Sequence, residues 1–458
     1  MRQTIMPEIK KSQVVLILGV LLITAPWLAQ AQEPEQSKQF MLDNGLRVFL
    51  LEKKNLPLLN LAFAFNLGSK DESEETSGLV HILEHYTLFR GTELRTADEV
   101  IKEIRKHGAY FNAHTDRDLI IFEMSLPSEY AVFALENQRE ILFQQKFAQE
   151  ELDKEKKVIL EELSQIEDDP IKYGTSLAYQ NLFQDHPYQR PIYGKKEIIQ
   201  SATAEQIDNF YRDYFVPSNG SLAIVGDFAV GEMEKKVKDV FGPLESRGLS
   251  PKKIEKIQKL KRTIEIEKEM DVNQAYLVIG MLAPDYNHPD QFAADVLTEI
   301  LGRGVAPLLN FALRGRRKLA DSLAMNYISL KYGGAMLIYI TCDPNLLKAA
   351  KNETLQFLKT TRRQNYSKKD YPTEDRLYAF DFLECGQNQI RFSSRQSKES
   401  GLSVATSLAR YMLLKEAEGM GRYMDRIEDI SSSDCRTAAG NYLGQGRYVI
   451  VSILPKRK

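Results

Sequence analysis

Two stretches far apart in the chain, GSLAIVGDF from Gly220 and GRYVIVSILP from Gly446, read as the same kind of strand, and each closes a similar run of elements. In the first run, FMLDNGLRVFLLEK reads as two strand segments around an Asn-Gly turn. LPLLNLAFAFNLGS follows as a buried strand, and a helix is expected from about Ser77 to Leu88. TADEVIKEIRKHG is a second helix, with Thr96 as its N-cap. FNAHTDRDLIIFEMSLP gives two strands around a polar turn, and SEYAVFALENQREILFQQ and FAQEELDKEKKVILEELSQIEDD are helical, the latter closed by Pro170. The second run repeats the plan: QAYLVIGMLAP as strand, HPDQFAADVLTEILG as helix, AMLIYITCDP as strand, then further helices. The repetition predicts an α+β fold made of two homologous α/β-sandwich domains, an internal duplication, each a mainly antiparallel sheet with helices packed on it. A length of 458 residues suits two such domains of about 200 residues each. The expected boundaries are 32–245 and 265–458. The lysine-rich PKKIEKIQKLKR lies inside a solvated linker, 246–264.

Residues 1–31 belong to neither half. Lys10 and Lys11 precede the apolar run VVLILGVLLITAPWLA, and Ala29-Gln30-Ala31 forms a small-x-small cleavage signature. This is the pattern of a secretory signal peptide, and the run is short for a membrane span. The expected location is therefore secreted, periplasmic in a Gram-negative cell, with no stable membrane span after cleavage. A formal net charge of −2 gives no electrostatic reason to expect nucleic acid as a partner. Three cysteines, widely separated, indicate neither a disulfide framework nor a thiolate metal site.

The chemistry concentrates in VHILEHYTLFRGT, which starts at Val80. On a helix, His81 and His85 lie on one face, a turn apart, and can chelate one zinc ion. Glu84 shares that side and can act as a general base. H-x-x-E-H is the inverted form of the zinc-protease motif. Zinc needs a third protein ligand from elsewhere, and an acidic cluster lies on the helix EKKVILEELSQ.

These residues resemble the M16 metallopeptidases, the family of pitrilysin, insulin-degrading enzyme and the mitochondrial processing peptidase. The resemblance is carried by VHILEHYTLFRGT, GAYFNAHTDRDLIIFEMSLP, EKKVILEELSQIEDDP and HPYQRPIYGKKEIIQSATAEQIDNFYRDYFVPSNGSLAIVGD, in the family's order. It implies a zinc-dependent endopeptidase that binds one zinc ion through His81, His85 and a glutamate. Of the adjoining Glu161 and Glu162, the family's seven-residue spacing from Glu155 selects Glu162. Glu84 is then the general base, and Glu155 a carboxylate supporting the site. FNAHT resembles the family's substrate-holding edge strand, so Phe111, Asn112 and Ala113 are the expected substrate contacts, with a peptide or unfolded polypeptide adding as a strand. His114 is read as a non-ligand, and His107, His186 and His288 as structural or surface residues.

The resemblance breaks in the second half. Where the family carries an arginine and a tyrosine that help hold substrate, this chain reads LRGRRKLAD. Arg314 matches the arginine, Asp321 stands in the tyrosine's place, and Tyr327 is six residues further on. An ionised carboxylate cannot donate the phenolic hydrogen bond. The departure implies the zinc-bearing chain of a two-chain enzyme, in which a homologous M16-like partner supplies the arginine–tyrosine pair, or else a homodimer. A non-catalytic assembly or binding subunit is the rival reading. Relatives of that kind lose part of the zinc set, whereas His81, Glu84, His85, Glu155 and Glu162 are all present here.

Overall fold

A computed structural model describes residues 36–245, 248, 253–304, 307–367, 381–414 and 422–456. The leader expected over 1–31 lies outside the described residues. The first half runs β1 (Ser37–Met41), β2 (Arg47–Glu52), β3 (Leu58–Phe65), α1 (Leu79–Phe89), α2 (Ala97–Lys106), β4 (Tyr110–Thr115) and β5 (Ile120–Pro127). It continues with α3 (Ala131–Phe143), α4 (Gln149–Asp168), α5 (Pro170–Leu182), α6 (Lys196–Ser201), α7 (Ala204–Tyr214), β6 (Gly220–Gly226) and α8 (Val230–Phe241). The second half runs β7 (Ile264–Met270), β8 (Ala275–Ala283), α9 (Gln291–Gly302), α10 (Leu308–Asn310), β9 (Ser322–Ser329), β10 (Gly334–Cys342) and α11 (Leu347–Thr361). Then come α12 (Phe382–Glu399), α13 (Gly401–Leu414), α14 (Tyr423–Glu428), α15 (Ser432–Ala438) and β11 (Val449–Pro455).

The strands form two sheets, in the orders β1-β2-β6-β3-β5-β4 and β7-β11-β8-β10-β9. In the first only β2 and β6 run parallel, and in the second only β7 and β11. Strand for strand, β2-β6-β3-β5-β4 matches β7-β11-β8-β10-β9, so the duplication is real at the level of topology. The echoing stretches GSLAIVGDF and GRYVIVSILP supply β6 and β11, which occupy equivalent places.

The central strands are apolar on both faces because helices cover both faces. In β3, Leu59, Leu61, Phe63 and Phe65 point to one side, where α1, α3, α7 and α8 complete the core. Ala62 and Ala64 point to the other side, where they meet Ala405 and Ala409 of α13. The second sheet repeats this. Leu277, Ile279 and Met281 face α9 and α11, whereas Val278 faces Ala178 and Leu182 of α5. Small residues let these single helices lie close: a Cβ on Gly174 of α5 would stand 3.0 Å from Val278 Cγ2.

Each half therefore lends one helix to the other's sheet. Helix α5, from the first half, covers the second sheet, and α13, from the second half, covers the first. Polar contacts secure the exchange. Ser221 Oγ donates to the Ala409 carbonyl at 2.7 Å, Arg410 pairs with Asp116 at 2.6 Å, and the Asp118 carboxylate accepts from Tyr188 Oη at 2.5 Å and from the Lys331 backbone N–H at 2.9 Å. The segment expected as a solvated linker is partly anchored too, since Leu260 is buried in the core beneath α5.

Candidate metal centre

Helix α1 is LVHILEHYTLF, and all but its last residue are buried. Its start has no side-chain cap at Gly78, which sits at φ 105. The cap comes instead from Glu72, whose Oε1 accepts the Val80 N–H at 2.9 Å. Glu72 is fully buried, and burial pushes its carboxyl up to about 8 against the opposing backbone hydrogen bonds.

His81, Glu84 and His85 are 5%, 8% and 7% exposed. Helix α4 packs across α1, and its Glu155 and Glu162, two turns apart, share one face. Glu162 comes to 3.7 Å from His81 Nε2 and 3.4 Å from His85 Nε2 through its Oε2. Glu161 is exposed and outside this cluster. Glu155, 2% exposed, accepts from His85 Nδ1 at 3.2 Å, and its other oxygen takes the Arg90 guanidinium, which also reaches Glu151 at 3.2 Å.

This donor set fits zinc. Two zinc–ligand bonds of ordinary length at a tetrahedral angle put their donor atoms roughly 3.3 Å apart, close to the observed 3.4 and 3.7 Å. Two imidazoles and one carboxylate are a catalytic-zinc set that leaves a position open. Burial, and then His85, push His81 down to about 3, so its imidazole is neutral, as ligation requires. Burial would lower His85, but the Glu155 hydrogen bond and the Glu162 and Glu84 carboxylates outweigh it and raise it. With Nδ1–H turned to Glu155, the His85 Nε2 lone pair faces the cluster. Glu84 is raised above its ordinary value by burial, opposed by the Thr115 hydroxyl and His85.

The expected substrate strand is β4, which among the described residues pairs only with β5 and ends the sheet. Phe111 is half-buried toward the α1 side, Asn112 is exposed and donates to Tyr110 Oη at 3.0 Å, and Ala113 is buried in the core. Ala113 can therefore offer substrate its backbone but not its side chain. His114 faces Glu123, Arg410 and Asp116 rather than the cluster. His107 stacks on Phe133 at 3.7 Å, and His186 and His288 accept backbone N–H groups at 3.1 Å through Nδ1. Arg314 is exposed on the helical turn Phe311–Arg316. Asp321 accepts from Gln274 Nε2 at 3.1 Å, and Tyr327 Oη donates to the Pro284 carbonyl at 2.9 Å.

Sequence reasoning assigned no role to Tyr193, Arg90 or Glu72. The Tyr193 ring stands edge-on to His81, with centroids 5.1 Å apart and planes at 90°. It lines a cavity of about 860 Å³ that runs from Leu163, beside Glu162, along α5 to β9 and β10. Burial, then Glu162 and Glu84, raise its phenol. Tyr193 and Arg90 both lie within stretches that carry the family resemblance, but only the folded chain sets them against His81 and Glu155.

Residues 47–196 match the family model described as Insulinase (Peptidase family M16), and residues 201–373 match the one described as Peptidase M16 inactive domain. The chain is 25% identical over 446 residues to zinc protease PqqE of Helicobacter pylori, covering 95% of this chain and 97% of that protein. It is 25% identical over 334 residues to the Bacillus subtilis protein named "Uncharacterized zinc protease YmxG", covering 73% of this chain and 80% of that one. The crystal structure of a protease from Helicobacter pylori shares the fold with a TM-score of 0.83 at 23% identity, over 92% of this chain and 100% of that chain. A structure titled peptidase M16 inactive domain, from Pseudomonas fluorescens, does so at 0.80 and 19%, over 92% and 98%. With both domain models matched in order on a shared two-sheet fold, the chain is an M16-family peptidase-like protein whose relatives are named zinc proteases.

Proposed function

We propose that this chain is a zinc-dependent endopeptidase that cleaves flexible peptides or unfolded protein segments. The observation that carries the reading is the convergence of His81, His85 and Glu162, with Glu84 one helical position from His85 and buried beside them. His81 and His85 through their imidazoles and Glu162 through its carboxylate would hold one ion per chain. Zinc bound there supplies Lewis acidity, which makes water easier to deprotonate and a peptide carbonyl easier to attack. Glu84 takes the proton of the attacking water on its carboxylate and passes it to the nitrogen of the leaving amine. Its raised affinity for protons suits both transfers. Glu155 holds the His85 ring in place through Nδ1, and Arg90 holds Glu155. The free edge of β4 offers backbone groups to an extended substrate, which gives affinity with little demand on sequence.

At the positions where the family resemblance looks for a tyrosine donor, Asp321 accepts from Gln274 and Tyr327 is committed to Pro284. A homologous second chain carrying an arginine–tyrosine pair is one source of that donor, and the first half of this chain is another. No helix among the described residues is long and apolar enough to cross a membrane. The leader pattern over 1–31 supports export to the periplasm.

The test is hydrolysis of a quenched, unstructured peptide by the purified zinc-loaded chain beside its Glu84→Gln variant. We expect the variant to lose about 10²- to 10⁴-fold in kcat with zinc still bound. Equal activity in the two proteins would overturn the assignment.

A further inference from the structure

Resting on the endopeptidase reading, we propose that Tyr193 is a further catalytic residue. Its phenolic O–H donates a hydrogen bond to the oxygen of the peptide carbonyl under attack, and the proton stays on the tyrosine throughout. Attack of water on a peptide carbonyl puts negative charge on that oxygen, and a preplaced donor there lowers the barrier.

The donors around the cluster are few, and most are committed. Arg90 is held by Glu155 and Glu151. The Thr115 hydroxyl oxygen is buried out of a ligand's reach. Lys195 is paired with Glu74. Arg117 lies over the Tyr179 ring at 3.6 Å and donates to the Tyr188 carbonyl at 3.0 Å. Tyr193 is different. It is 38% exposed, stands against His81, and lines the cavity that leads away from the cluster. Among the described residues its hydroxyl makes no hydrogen bond, so the donor is available to a ligand.

Its position is also fixed. Tyr193 precedes Gly194, which sits at φ +80 with its backbone packed on Gly78, the residue that opens α1. The Lys195 N–H donates to the Ser77 carbonyl at 3.3 Å. The turn bearing Tyr193 is thus clipped to the first turn of the helix that carries His81 and His85. A peptide lying over the cluster and into the cavity must pass this ring. Tyr193 would then supply, within one chain, the phenolic donor that Asp321 cannot.

The test is Tyr193→Phe, which keeps the ring edge on His81 and removes only the hydroxyl. Three probes are used: a quenched flexible peptide, a phosphinic peptide that mimics the tetrahedral anion, and the uncleaved parent peptide bound to chains carrying Glu84→Gln. We expect kcat to fall roughly tenfold to hundredfold with KM little changed. Affinity for the phosphinic peptide should fall by a similar factor. Affinity for the parent peptide, and for zinc by dye competition, should stay within about twofold. Unchanged kcat overturns the proposal. So does an equal loss of parent and phosphinic peptide binding, which would make Tyr193 a cavity wall, or a loss of zinc affinity, which would make it part of the metal site. A wild-type chain that neither binds zinc nor cleaves the peptide would instead overturn the endopeptidase reading, and this proposal with it.

Discussion

Glu155→Gln tests the metal site most sharply, because Glu155 touches His85 without belonging to the cluster. The carboxylate accepts from His85 Nδ1 at 3.2 Å, is 2% exposed, and is itself held by Arg90. Glutamine keeps an acceptor oxygen and the side-chain length, and Arg90 keeps Glu151. What is lost is a buried negative charge that orients the ring and raises the basicity of Nε2. Changes to such supporting groups typically weaken metal binding about 10- to 100-fold, or about 1.4–2.7 kcal/mol. The assay is competition for zinc against a chelating dye, run from pH 6 to pH 8.

The pH dependence carries a second check. In the wild-type chain burial opposes protonation of His85, but Glu155 and the other carboxylates raise its pKa above the ordinary value, so protons compete with zinc as pH falls. Removing the Glu155 charge takes away one of the groups that raise His85 and so lessens that competition. The ratio of variant to wild-type Kd should be largest near pH 8 and shrink toward pH 6. The same shift governs zinc-free stability: a raised folded pKa contributes stability that is present below the unfolded value and lost as pH rises through the folded one. A Kd within twofold of wild type at pH 8, or a ratio that grows toward pH 6, would refute the role given to Glu155.

Gly194→Ala should destabilise the chain and also weaken zinc binding, because its Cβ would fall 2.4 Å from Gly78 Cα at the start of α1. Gly446→Ala, at φ +70 with nothing near its Cβ, is the control for strain alone and should cost about 1 kcal/mol in urea unfolding with zinc affinity intact. Glu72→Gln should change the pH dependence of stability of the zinc-free chain. With a folded pKa raised from 4.5 to about 8, Glu72 favours the unfolded state increasingly as pH rises through that window, by about 1.4 kcal/mol per unit. Urea midpoints should show the variant gaining on wild type from pH 5 to pH 8, and parallel curves would refute the buried-acid account.

Local patterns in the sequence carried much of the fold. The spacing of His81 and His85 needs only helical periodicity, and Thr96 forms the expected N-cap, with a reciprocal bond from Glu99. The continuous apolar run of β3 was readable because both of its faces are covered. Strand β9 was not read, because SLAMNYIS is a half-buried to exposed edge with one fully buried residue, Met325, and so lacks an apolar signature. The destination of α5 was also hidden. PIKYGTSLAYQNL shows a small-residue face at Gly174 and Ala178, but nothing in it says that the face meets Val278 and not the sheet of its own half. Glu72 was illegible for a related reason, since a glutamate outside the helix it caps has no periodic mark.

That hidden exchange bears on chemistry as well as on folding. Helix α9 follows β8 as α1 follows β3, but QFAADVLTEILG carries no histidine. Among the described residues the one histidine–carboxylate cluster that could hold a metal is in the first half. The second half therefore contributes by shape. Helix α5 leaves α4 just beyond Glu162, lies down on the second sheet, and leads through Tyr188 into the turn bearing Tyr193. The same helix that completes the second half's core thus lines, with β9 and β10, the cavity that Tyr193 borders. Asp118 locks this arrangement by bonding Tyr188 on one side and Lys331 on the other. A duplicated half that lacks the ligands remains necessary, because without its sheet α5 has no surface to lie on and the cavity loses the wall formed by β9 and β10.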